Sequence, residues 1–171
     1  MNRRPFLIAI STVAVAAVVA ACGGGDAASE DGLPVVASTT VVADIVENVG
    51  GQDVEVTTLV GRESDAHTFE PEPSDLEAIS QAALVFEVGR GFEEWLDAAV
   101  DAAGGDADVV TLSQGIEPLA FEEDAKAHSD EEGDPHVWMT AANGIAITES
   151  VAVALAEAEC AIAMSGRFGW T

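Results

Sequence analysis

From Leu33 onward, short apolar runs rich in β-branched residues alternate with stretches whose apolar positions recur every three or four residues. Pro34–Thr39 and Asp53–Val60 (DVEVTTLV) have the Val and Thr density of strands, and Ala83–Val88 (ALVFEV) and Ala107–Leu112 read as two more, shorter ones. Between them lie helical patterns. Ser38, Thr39 or Thr40 can cap a helix that runs to about Val49, and Gly50-Gly51 ends it. Ser74-Asp75-Leu76-Glu77 is a capping-box pattern opening a helix over Asp75–Ala82. Phe92–Ala103 sets Phe92, Trp95, Leu96 and Ala99 on one face, and Gly104-Gly105 stops it. Strands separated by helices of this length predict βαβ units. The expected fold is α/β, a four-stranded parallel sheet with helices on both faces.

Two loops stand out against this frame. The first, DAHTFEPEPSD (Asp65–Asp75), holds His67, one of three histidines in the chain, and Pro71 and Pro73 stiffen it. The second, Asp134-Pro135-His136-Val137-Trp138, repeats the order Asp, any residue, His, β-branched residue, aromatic. In open α/β sheets ligands bind beyond the carboxyl ends of the strands. His67 follows the second expected strand and His136 follows the fourth, so both loops leave one edge of the sheet. The pattern therefore predicts that His67 and His136 meet and bind a transition metal as neutral imidazoles. Asp65, Glu70 and Asp134 are the neighbouring carboxylates expected to orient the rings. A histidine taken singly reads as a surface or capping residue; the repeated Asp-x-His pattern is what favours ligands.

Charge and the N-terminus narrow the class. Formal net charge is −25, and outside Arg3 and Arg4 only four basic residues face 31 acids. Such a surface repels nucleic acid phosphates and anionic lipid head groups, so no nucleic acid partner is expected. Arg3-Arg4 is followed by a mostly apolar run, Phe6–Ala21, of about 16 residues, too short for a membrane span of roughly 20. It ends Val19-Ala20-Ala21-Cys22. Small residues before a cysteine resemble a bacterial lipobox, which implies a signal peptide over residues 1–21 and a lipid on Cys22. Residues 22–32 read as a flexible tether. With Cys22 lipidated only Cys160 is left, so no internal disulfide can form.

Other motifs carry less. Phe121–Asp134 (FEEDAKAHSDEEGD) reads as a solvated acidic loop, with His128 as an accessory metal-collecting residue in the functional alternative. Gly89-Arg90-Gly91 lacks the Walker Lys-Ser/Thr and the third Rossmann glycine, so it reads as a tight turn. Phe92, Trp95 and Leu96 read as core. No Ser-His-Asp order, Cys-His pair or HExxH motif supports an enzyme.

The opening VVASTTVVADIVENVGG, the loop DAHTFEPEPSDL, the strand-helix ALVFEVGRGFEEWLDAA, and DPHVW followed by AANGIAITESVAVALAEA resemble the N-terminal half of the zinc/manganese ABC-transporter solute-binding lipoproteins. The resemblance runs from Leu33 to about Glu159. It implies a lobe of a bilobed protein outside the membrane, lipid-anchored to its outer face, serving an ABC-transporter membrane permease and capturing Zn²⁺ or Mn²⁺ between lobes joined by a rigid helix. It matches the first two ligand histidines to His67 and His136. Two departures are local: Ala66 stands where the family has proline, and Met139-Thr140-Ala141 follows Trp138 where it has Leu-Asp-Pro. The family continues for roughly a hundred residues more, with the remaining ligands. Here residues 160–171 read as an atypical, truncated or frameshifted tail after a lobe of residues 33–159. The alternative is a surface lipoprotein acting in adhesion, with structural histidines.

Overall fold

Seven residues with β-branched or small side chains on both faces make Leu33–Thr39 a central strand (β1), buried at every position but Pro34. The computed structural model describes residues 32–117 and 134–165, all within one unit, Asp31–Thr171. β1 pairs in parallel with β2 (Val54–Val60) on one side and with β3 (Leu84–Glu87) on the other. β3 pairs in parallel with β4 (Asp108–Thr111), giving the order β2-β1-β3-β4. The four-stranded parallel sheet is the one the apolar pattern predicts. β2, β3 and β4 are shorter than expected by one or two residues, and β1 is longer by one.

Two apolar cores lie on opposite faces. Val35 and Ala37 of β1 and Phe86 of β3 pack with Val42 and Val46 of α1 (Thr40–Gly50) and with Ile147, Val151 and Leu155 of α4 (Ala141–Ser165). Val36 and Val85 face the other way, onto Ile79 of α2 (Pro73–Gln81) and Leu96 and Ala99 of α3 (Leu96–Ala103). Alternate residues of each strand thus feed alternate cores, as the period of two demands. Among the described residues no helix is long and apolar enough to cross a membrane.

Thr39 caps α1, its hydroxyl accepting the Val42 N–H at 3.5 Å, and Gly51 closes the other end at φ +59°. The start of α2 corrects the sequence expectation. The capping box is Glu72 with Asp75, not Ser74 with Glu77: Asp75 Oδ2 accepts the Glu72 N–H at 2.8 Å. Pro73, which lies two residues before the expected helix, is its first residue, where a missing N–H costs nothing and a fixed φ helps. α3 starts at Leu96, four residues later than expected, because Gly89, Arg90 and Gly91 all take positive φ (83°, 57° and 69°) and residues 90–95 form turns. The helix α4 continues through Cys160, whose thiol is exposed, to Ser165.

Candidate metal site

β1 is followed by a chain that turns to β2 on one side, while β3 lies on the other. The crevice beyond the carboxyl ends of β1 and β3 is therefore the topological switch point. The two histidine loops converge on this edge. His67 follows β2, and His136 precedes a short 3-10 turn, Val137–Met139, that leads into α4. Their ring centroids lie 6.2 Å apart with planes at 70°.

The same device presents each histidine. Asp65 Oδ1 accepts the His67 N–H and Asp134 Oδ1 accepts the His136 N–H, both at 2.9 Å. These Asp-x-His turns explain the spacing repeated in the sequence: the carboxylate satisfies a backbone donor two residues on and fixes where the histidine side chain leaves the loop. Asp134 does more. Its Oδ1 also meets His136 Nδ1 at 2.7 Å. A carboxylate only accepts, so Nδ1–H donates to it, and in the neutral ring this leaves Nε2 with the lone pair. The two bonds from His136, backbone N–H first and ring second, hold the Asp134 carboxyl below its ordinary value. Glu70 is exposed and has no hydrogen bond to either ring among the described residues, so only Asp134 of the three expected carboxylates touches an imidazole. His128 and Cys22 lie outside the described residues.

One residue of the site was read as core and is both. Phe92 is buried, yet its ring meets His67 edge-on at 4.8 Å, His136 at 5.4 Å and Trp138 at 5.1 Å. It is the wall against which both imidazoles rest. Trp138 in turn stacks edgewise on His136 at 5.3 Å. Trp95 reaches the first loop differently, donating its Nε1–H to the Ala66 carbonyl at 2.7 Å while its ring packs on Phe69 at 4.8 Å. Phe92 and Leu96, expected on one helix face, belong to opposite cores because the turn at 89–95 separates them. The spacing of 92, 95, 96 and 99 fits a helix so well that no sequence signal set Phe92 apart.

The histidine spacing can be tested against a single ion. With metal–nitrogen bonds of about 2.1 Å and ring nitrogens about 1.1 Å from the centroid, two imidazoles on one ion have centroids at most roughly 6.4 Å apart, and roughly 5.2 Å apart at a tetrahedral angle. The observed 6.2 Å lies inside that limit, and a closure of about 1 Å reaches tetrahedral geometry. Among the described residues no group of three or more His, Cys, Asp or Glu is placed to hold an ion, so the described donors amount to an imidazole pair.

A parallel α/β lobe that presents two carboxylate-positioned histidines at its switch-point edge has the form of a candidate metal-binding lobe. Residues 35–163 match the family ZnuA, zinc-uptake complex component A, periplasmic, and the chain belongs to this family. It is 36% identical over 140 residues to the manganese-binding lipoprotein MntA of Halalkalibacterium halodurans, covering 80% of this chain and 44% of that protein. It is 33% identical to the manganese ABC transporter substrate-binding lipoprotein PsaA of Streptococcus mitis, covering 79% of this chain and 45% of the relative. The fold superposes on a crystal structure of ZnuA with a TM-score of 0.67 at 30% identity, over 77% of this chain and 51% of that one. Against the Mn-bound periplasmic metal binding protein of Candidatus Liberibacter asiaticus the TM-score is 0.66 at 28% identity, over 76% and 47%. The chain spans about half the length of the curated relatives it matches. The relatives are named as metal-binding lipoproteins, the Streptococcus proteins among them as ABC transporter substrate-binding lipoproteins, and these names lend no support to the adhesion alternative.

Proposed function

We propose that this chain is the N-terminal metal-capturing lobe of an extracytoplasmic solute-binding lipoprotein that delivers Zn²⁺ or Mn²⁺ to an ABC-transporter membrane permease. His67 and His136 hold the ion. The observation that carries the reading is the convergence of two Asp-x-His turns, 69 residues apart in sequence, on one sheet edge with their rings 6.2 Å apart. Nδ1 of His136 is engaged by Asp134, which directs Nε2 to the ion. Asp65 sets the loop of His67 through its backbone. The ion is cargo. It is captured and released, as membership of a solute-binding family implies, so the proposed activity is binding and not catalysis. Cys22 carries the lipid that holds the protein at the outer face of the membrane, next to its permease.

The test is calorimetric titration of the full chain with zinc and with manganese, repeated for His67→Ala and His136→Ala. Each substitution removes half of the imidazole pair and is expected to weaken binding at least about tenfold. Binding that survives both changes undiminished would place the ion elsewhere.

A further inference from the structure

Between the strands and the imidazoles sits a buried carboxyl that the metal-binding reading does not use. Glu93 is 5% exposed and Ser38, at the end of β1, is fully buried. Glu93 Oε1 accepts the Ser38 hydroxyl at 2.6 Å and the Val88 N–H at 3.0 Å, and Oε2 accepts the Gly89 N–H at 3.1 Å. Both oxygens are thus occupied by donors from β1 and from the end of β3, across the switch-point crevice. A carboxyl so engaged is no ligand. What it holds is the turn Gly89-Arg90-Gly91, three successive residues at positive φ, including the only non-glycine residue with positive φ among those described. That backbone is unfavourable for Arg90 and persists only where surrounding structure over-determines it. Gly89 has no room for a side chain, since a Cβ there would lie 2.4 Å from Thr111 Cγ2.

The turn delivers the two aromatic residues that support the site. Phe92 leaves it to stand against both His67 and His136, and Trp95 donates to the carbonyl of Ala66, the residue before His67. We propose that Glu93, anchored by Ser38, is a positioning residue of the metal site: it fixes the 89–91 turn, and through Phe92 and Trp95 it sets the separation and orientation of the two imidazoles. This rests on the reading that His67 and His136 hold the ion. It adds that the spacing is set from beneath, by a buried contact between residues 55 apart in sequence, and not by the two histidine loops alone.

The experiment uses the full chain and Co²⁺ as probe, with Glu93→Gln and Ser38→Ala. Glutamine keeps the shape but offers one acceptor oxygen and turns an N–H₂ toward backbone donors. Three readouts are taken: cobalt affinity, the imidazole ring-proton resonances of the metal-free protein, and far-ultraviolet circular dichroism. The expected result for Glu93→Gln is an affinity loss of about tenfold or more, shifted resonances for both His67 and His136 as Phe92 moves, and an unchanged dichroism spectrum. Ser38→Ala is expected to shift the same resonances by less, and it decides the matter if the glutamine variant does not fold. A folded variant with unmoved imidazole resonances and wild-type cobalt affinity overturns the proposal. If His67→Ala and His136→Ala leave cobalt binding intact, the metal reading fails by itself, while the metal-free resonances still judge the role of Glu93.

Discussion

Glu93 carries two opposing influences on one side chain. Burial penalises its charge and raises its pKa above the ordinary 4.5, while the hydrogen bonds from Ser38, Val88 and Gly89 pull the other way and do not prevail. The sign of the consequence follows from linkage. A carboxyl that holds its proton more tightly in the folded state favours folding below its unfolded pKa, and that contribution is lost as pH rises through the folded value. Wild-type stability should therefore carry a component that declines as pH rises from about 4.5. Glu93→Gln lacks a titrating group there. Urea unfolding of both proteins at steps between pH 4 and pH 8 checks it: the stability advantage of wild type over variant should be largest at the acid end and shrink upward. An advantage that grows with pH would mean that the three donors outweigh burial and that the carboxylate is the favoured form. Asp134 has the opposite character, its pKa lowered by the two His136 bonds, so two carboxyls of one lobe respond to acid in opposite directions.

At the scale of elements, α4 separates its residues sharply by face. Val151 is fully buried against the sheet, and Val153, two positions on, is 56% exposed. Val151→Ala should cost about 2 kcal/mol, from roughly 0.8 kcal/mol per buried methylene plus the cavity left behind. Val153→Ala should stay within about 0.5 kcal/mol. Equal costs in denaturant titrations would show that the outer face of α4 is covered in solution. The four strands, their parallel order and the helices between them were legible because β-branched runs and Gly-Gly stops coincide with the element ends. The start of α2 was misread because Ser74 and Glu77 fit a capping box as well as Glu72 and Asp75 do, and the backbone chose the pair that puts Pro73 at the first helical position. The convergence of His67 and His136 was legible from a repeated tripeptide on a sheet with one functional edge. The wall of Phe92 and the clamp of Ser38 on Glu93 were not, because each depends on contacts across the sheet edge that leave no periodicity in the chain.

For the whole molecule the question is how an imidazole pair behaves on a chain with a formal charge of −25. Two kinds of cation binding are superposed. The acidic surface gathers divalent ions by its field, a loose effect that salt screens over about 8 Å at physiological ionic strength. On the proposed reading the imidazole pair binds by coordination, which depends on lone pairs and geometry and is far less sensitive to salt. Zinc prefers four ligands, and the described residues of this chain, which spans about half the length of its curated relatives, supply two imidazoles. Water completing a shell of two imidazoles gives up the preorganisation that further protein ligands would bring, so zinc held by these two rings alone should bind weakly. Titration with zinc at low and at high sodium chloride separates the two contributions. Raising the salt should remove the loose, multiple binding and leave a single weaker class of sites at no more than one ion per chain. That remnant should vanish in the double variant His67→Ala, His136→Ala. If two copies share one ion, the ratio falls to one per two chains, and sedimentation will report a zinc-dependent dimer that the double variant does not form. Tight binding at high salt that the double variant retains would mean that the ion is held by other residues and that the two Asp-x-His turns serve the fold alone.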